Sequence, residues 1–176
     1  MEPAAVIGPV LLLALAPAQG AVATSEAHAT AAAAAVLAEG GNAVDAAVAA
    51  GFALAVTWPV AGNLGGGGFL LYRSPAGEAF FLDFREVAPA AAGRDLYLGP
   101  DGAPRGGAST RGWLAVAVPG SVPGLAEAHR RWGRLPWRRL LRPAIRLAEE
   151  GFPVTPGQAA SFAASAAALR ADPLAA

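Results

Sequence analysis

From Ala46 to Tyr72 the chain carries no charged side chain, and near the end of that stretch four glycines run together, Gly65-Gly66-Gly67-Gly68. A segment this apolar has to be taken out of water, in a membrane or in a core. A membrane span needs about 20 continuous apolar residues in one helix, whereas Pro59 and the glycine run interrupt this one after roughly three turns. The pattern predicts a buried core helix leading into a buried strand, and no membrane span.

Composition narrows the class. At 176 residues the chain suits one domain, long enough to bury about two thirds of its unfolded surface. Hydrophobic residues make up 55% and charged residues 15%, which argues against disorder and for closely packed helices with small side chains between them. All thirteen basic residues are arginine. A Walker loop needs a lysine to reach the phosphates, so the glycine run is not a nucleotide cradle of that type, and no dinucleotide fingerprint follows a first strand. With no cysteine, and with His28 and His129 far apart, neither a metal nor a cofactor is expected.

The amino terminus holds Val10-Leu11-Leu12-Leu13-Ala14-Leu15-Ala16 and then Ala16-Pro17-Ala18, the pattern of a signal-peptide core with a small-residue cleavage site. Its flank lacks the usual basic residues, Glu2 being the only charge before it. Residues 1–21 therefore read as a signal peptide or a disordered tail. The first reading implies a periplasmic or secreted protein and the second a cytoplasmic one.

Thr24 and Ser25 are candidate caps of a first helix ending at Gly40-Gly41, and Asn42 with Asp45 has the chemistry to start a second over 43–56. That second helix, alanine or glycine at most positions, should be enclosed. Phe69–Arg73 and Ala79–Arg85 flank Ser74-Pro75-Ala76-Gly77 and predict a hairpin. Both strands are almost continuously apolar, so the sheet should be covered on both faces. Trp113 to Val118 reads as a third strand, Ala126 to Trp132 as a helix, and Pro136 as the start of another that Pro143 kinks or breaks.

Arg85 is the sharpest candidate for chemistry. Its guanidinium stands just past a glycine-rich loop, where it offers a fork for a carboxylate or phosphate. From the residues alone, a structural ion pair with Asp83 or Glu86 is the favoured alternative, and the glycines have a bland reading as a loop crossing under a helix. Seven arginines lie between Arg130 and Arg146, with Arg138, Arg142 and Arg146 at four-residue spacing. Because the chain is neutral overall and Glu127, Glu149 and Glu150 flank this patch, it reads as a solvated or partner-facing helix rather than a nucleic-acid surface. No serine lies in a nucleophile elbow, and no aspartate is placed to orient His129.

Taken together, Glu39-Gly40-Gly41-Asn42-Ala43-Val44-Asp45-Ala46-Ala47, Ala61-Gly62-Asn63-Leu64-Gly65-Gly66-Gly67-Gly68-Phe69, Asp83-Phe84-Arg85-Glu86-Val87-Ala88-Pro89 and Val118-Pro119-Gly120-Ser121-Val122-Pro123-Gly124 resemble gamma-glutamyltranspeptidases, in the same order along the chain. The resemblance runs from about Val22 to Gln158. It implies an α+β fold of the N-terminal nucleophile hydrolase type, an αββα sandwich of which residues 22–176 supply the N-terminal portion of the large subunit. It also implies a precursor that cuts itself into two subunits. A threonine at the new amino terminus of the small subunit then attacks the gamma-glutamyl amide of glutathione and related compounds, its own amine serving as base. By resemblance Arg85 grips the alpha-carboxylate of the glutamyl group, which reverses the ion-pair preference above. None of Thr24, Thr30, Thr57, Thr110 or Thr155 lies in a self-cleavage context. The chain alone is therefore expected to be inactive, its partners being the rest of the large subunit and the small subunit. A second reading is a non-catalytic interaction module that uses its arginine-rich helix as a contact surface.

Overall fold

The computed structural model describes residues 20–171; the signal-peptide reading of Val10–Ala18 lies outside them. Five helices and one hairpin follow in the order α1 (Ala27–Ala38), α2 (Ala43–Thr57), β1 (Phe69–Arg73), β2 (Ala79–Asp83), α3 (Ser121–Trp132), α4 (Trp137–Glu150) and α5 (Pro156–Arg170). No described helix is long and apolar enough to cross a membrane.

The uncharged stretch begins in α2, which is enclosed as its composition predicts. Val44, Ala46, Val48, Ala49, Ala50, Phe52 and Ala53 are all buried. Small side chains let α1 and α4 approach closely, so Val48, Ala49 and Phe52 pack with Ala33 and Val36 of α1 and with Leu140 and Ala144 of α4. Leu140 is wholly buried, a placement that contributes about 1.5–3 kcal/mol.

Both ends of α2 are tied to distant chain. At its start Asn42 Oδ1 accepts the amides of Val44 and Asp45 (2.9 and 3.0 Å), and Asp45 Oδ2 accepts the amide of Asn42 (2.9 Å), a closed capping box. The same buried carboxylate accepts the amides of Arg134 and Leu135, and Asn42 Nδ2 donates to the Trp132 carbonyl, so the α3–α4 turn is fastened onto the cap. At its end the Thr57 carbonyl accepts Gln158 Nε2 (2.8 Å), while Gln158 Oε1 caps α5 through the Thr155 amide.

Several elements differ from expectation. The cap of α1 is Glu26, whose carboxylate accepts the Ala29 amide at 3.0 Å; Thr24 instead bonds Thr30 and the Glu26 carbonyl. Trp113 to Val118 is not a strand. A short 3-10 turn spans Trp113–Ala115, and only Val118 pairs, in an isolated bridge to Val87. Helix α3 starts inside the proline-glycine motif, because Pro123 falls in the first turn, where an amide has no helical partner to lose. Helix α4 runs through Pro143 unbroken.

The hairpin is antiparallel, with Phe69 opposite Asp83 and Arg73 opposite Ala79. Its inner face is covered: Tyr72 and Phe80 pack on Trp132 of α3, ring centroids 4.8 and 5.2 Å apart. Its outer face is not, against the expectation of cover on both sides. Leu71 is 78% exposed and Phe81 61%, and the Phe69 and Phe81 rings stack on each other at 5.8 Å. Among the described residues the sheet has two strands and one covering layer.

Candidate functional site

Arg85 stands where β2 leaves the sheet. Pairing continues one residue past the strand, Phe84 and Gly68 exchanging backbone hydrogen bonds of 3.1 and 3.4 Å. The Asp83 carboxylate then accepts the backbone amide of Arg85 (3.0 Å), a local turn that ends the ladder. Alternation holds through this segment: Phe84 points inward and Arg85 is exposed. Among the described residues the ion pairs are Arg94–Asp95, Arg130–Glu127, Arg131–Glu127 and Arg139–Glu39, and none includes Arg85. The local ion pair favoured on residues alone therefore does not form. Its Asp83 candidate is occupied by a backbone amide, and an exposed pair returns too little to compel another arrangement.

The glycine run is wedged between this strand end and the start of α3. A side chain at Gly67 would overlap the backbone of Phe84 and Glu86, and one at Gly124 would overlap the Phe84 ring. The bland reading of the glycines is thus correct as far as it goes, since they permit a close crossing. They also bring the loop to the residue before Arg85. The Gly66 carbonyl accepts the amides of Gly120 (2.7 Å) and Ser121 (2.9 Å), and Asn63 Oδ1 accepts both the Gly66 amide and the Ser121 hydroxyl, each at 2.7 Å. Neither Asn63 nor Ser121 stands out in the sequence as an individual residue. The readable signal was an asparagine three residues before a glycine and a serine opening a helix.

Asp83, Phe84 and Arg85 line one side of a cavity of about 290 Å³, with Pro119, Gly120, Gly124 and Glu127 on the other. Glu127 is held by its own helix: Arg130 Nε and Nη2 donate to its two oxygens at 2.7 Å, and Arg131 also pairs with it. Hydrogen bonds from Arg130, then Arg131, lower its pKa from the ordinary 4.5 to about 2. Because the folded value lies below the unfolded one, the stabilisation is complete above about pH 4.5 and is lost as pH falls toward 2. In a carboxyl-carbon NMR titration Glu127 should stay ionised near pH 3, where an ordinary glutamate is mostly protonated. An Arg130→Gln variant should bring it back toward ordinary behaviour.

His129 is occupied structurally, its Nε2 lying 2.7 Å from the Leu135 carbonyl and its ring against Trp137. Arg138, Arg142 and Arg146 are exposed on α4, as their spacing predicts.

Residues 29–176 match the sequence profile of the gamma-glutamyltranspeptidase family. The chain is 53% identical over 140 residues to a glutathione hydrolase proenzyme of Pseudomonas aeruginosa, covering 79% of this chain and 25% of that protein. It is 51% identical over 134 residues to the glutathione hydrolase proenzyme of Escherichia coli, covering 76% and 23%. It thus spans about a quarter of the length of the curated relatives it matches. Among solved structures, Helicobacter pylori gamma-glutamyltranspeptidase superposes with a TM-score of 0.85 at 40% identity, covering 89% of this chain and 45% of that one. The Pseudomonas nitroreducens enzyme gives 0.79 at 48% identity, covering 84% and 44%. The helices and small sheet are accordingly part of the N-terminal nucleophile hydrolase-type α+β fold. The chain belongs to the gamma-glutamyltranspeptidase family.

Proposed function

We propose that this chain is the N-terminal part of the large subunit of an enzyme that hydrolyses glutathione and related gamma-glutamyl compounds, or transfers their gamma-glutamyl group to an amino acceptor. The observation that carries the reading is Arg85: exposed, outside every ion pair among the described residues, and set at a cavity by a loop locked to α3. A planar guanidinium so placed receives a carboxylate through two parallel hydrogen bonds. In this role Arg85 orients the donor by its alpha-carboxylate and leaves the gamma-amide for attack. The attacking threonine belongs to the small subunit. Its hydroxyl oxygen bonds to the amide carbon, the alpha-amine takes the proton, and the leaving amine departs protonated; water or an acceptor amine then cleaves the ester.

Residues 22–176 thus form one incomplete domain, and Arg85 is half of a pocket. Release of the anilide from a gamma-glutamyl anilide tests this division of labour. The complete enzyme carrying this segment should turn the substrate over, and the chain by itself should not. Turnover by the isolated chain would overturn the assignment of the nucleophile to the other subunit. The interaction-module reading is not favoured by the family match; of its arginines Arg130, Arg131 and Arg139 are already paired with Glu127 and Glu39, while Arg138, Arg142 and Arg146 stay exposed.

A further inference from the structure

We propose that Ser121 is a positioning residue for Arg85, acting through the glycine loop. This rests on the reading of Arg85 as the ligand of the donor carboxylate. Ser121 is 7% exposed and opens α3. It reaches the loop twice, its amide donating to the Gly66 carbonyl at 2.9 Å and its hydroxyl to Asn63 Oδ1 at 2.7 Å. Asn63 Oδ1 also accepts the Gly66 amide, so hydroxyl, asparagine and glycine close a ring that holds both polar groups of Gly66.

The ring matters because of what hangs from it. Two residues on, Gly68 exchanges hydrogen bonds with Phe84, whose ring lies against Gly124 in the first turn of the same helix. The backbone entering Arg85 is therefore referenced to α3 on two sides, through the loop and through the Phe84 ring. Ser121 fixes the loop side. Removing its hydroxyl leaves the Gly120 and Ser121 amides still on the Gly66 carbonyl, so the fold persists. Asn63 Oδ1 keeps a single donor, and the loop gains freedom beside Phe84.

In the complete enzyme carrying this segment, Ser121→Ala should raise KM for a gamma-glutamyl donor about threefold to tenfold, the range one neutral hydrogen bond corresponds to. The value of kcat should stay within about twofold, KM for the acceptor should not move, and Ser121→Thr should restore the donor KM. Asn63→Ala cuts the same link from the other side, together with the acceptor of the Gly66 amide, and should raise the donor KM at least as much. The double variant should be no worse than Asn63→Ala alone, because that substitution already removes the acceptor of the Ser121 hydroxyl. Arg85→Lys measured alongside separates the two readings. If Arg85→Lys raises the donor KM and neither Ser121→Ala nor Asn63→Ala does, the positioning role is overturned while the site stands. A loss in kcat that threonine fails to rescue also overturns it, marking Ser121 as structural. If Arg85→Lys itself leaves the donor KM unchanged, the site reading fails and the positioning role fails with it.

Discussion

Arg85→Lys, in the complete enzyme carrying this segment, is expected to raise KM for a gamma-glutamyl donor by roughly one to two orders of magnitude. A charge-assisted hydrogen bond contributes about 1.5–3 kcal/mol, and each 1.4 kcal/mol is about tenfold in affinity. Lysine keeps the charge and loses the fork, so it tests geometry rather than electrostatics. The free protein has little to lose by the change, because the guanidinium joins no ion pair among the described residues and the adjacent Asp83 carboxylate is taken by a backbone amide. A stability loss is therefore not expected to mask the kinetic effect. An amide donor lacking the alpha-carboxylate should be handled equally by both enzymes. An unchanged KM for the natural donor class would sink the assignment.

The second large effect is on stability. Asp45→Ala removes a wholly buried carboxylate that accepts the amides of Asn42, Arg134 and Leu135. Three backbone donors at half-buried or exposed positions lose their partner, and the substitution breaks the α2 cap and the α3–α4 turn at once. An expected loss of about 3–5 kcal/mol follows from leaving such groups unsatisfied. At about 2–4 °C per kcal/mol for a domain of this size, a thermal melt should fall by roughly 6–20 °C. Asp45→Asn keeps one acceptor oxygen and should lie between. A melt of Asp45→Ala within about 2 °C of the parent would show that the tie contributes little.

Local chemistry was legible and distant chemistry was not. Asn42 and Asp45 announce the start of α2 because both halves of a capping box lie within four residues, and Ser74–Gly77 announces the hairpin for the same reason. The second use of Asp45, as acceptor for Arg134 and Leu135, joins residues 89 and 90 apart, beyond any periodicity. Thr24 and Ser25 stand one or two residues before the true cap of α1 and are better caps by type than the Glu26 that does the work. Trp113 to Val118 has strand composition without a strand partner beyond the Val87 bridge. The outer faces of β1 and β2 carry the apolarity of a sheet covered on both sides, and a chain spanning a quarter of its relatives shows one covering layer. Arg85 is a candidate anion fork by its neighbours alone, and the anion proposed for it comes only from the ordered series of motifs.

The two ties on α2 also set an order of events during synthesis. Asp45 waits for Arg134, 89 residues later, and the Thr57 carbonyl waits for Gln158, 101 residues later. At translation rates of about 5–20 residues per second, those partners emerge on the order of ten seconds after the helix they complete. Alanine gives α2 enough intrinsic propensity to coil during that interval, yet its apolar surface stays without α4 until Leu140 and Ala144 are made. A ribosome that stalls before Leu140 is made therefore holds a helix capped by its own Asn42 and Asp45 but lacking the α4 partner of its apolar face.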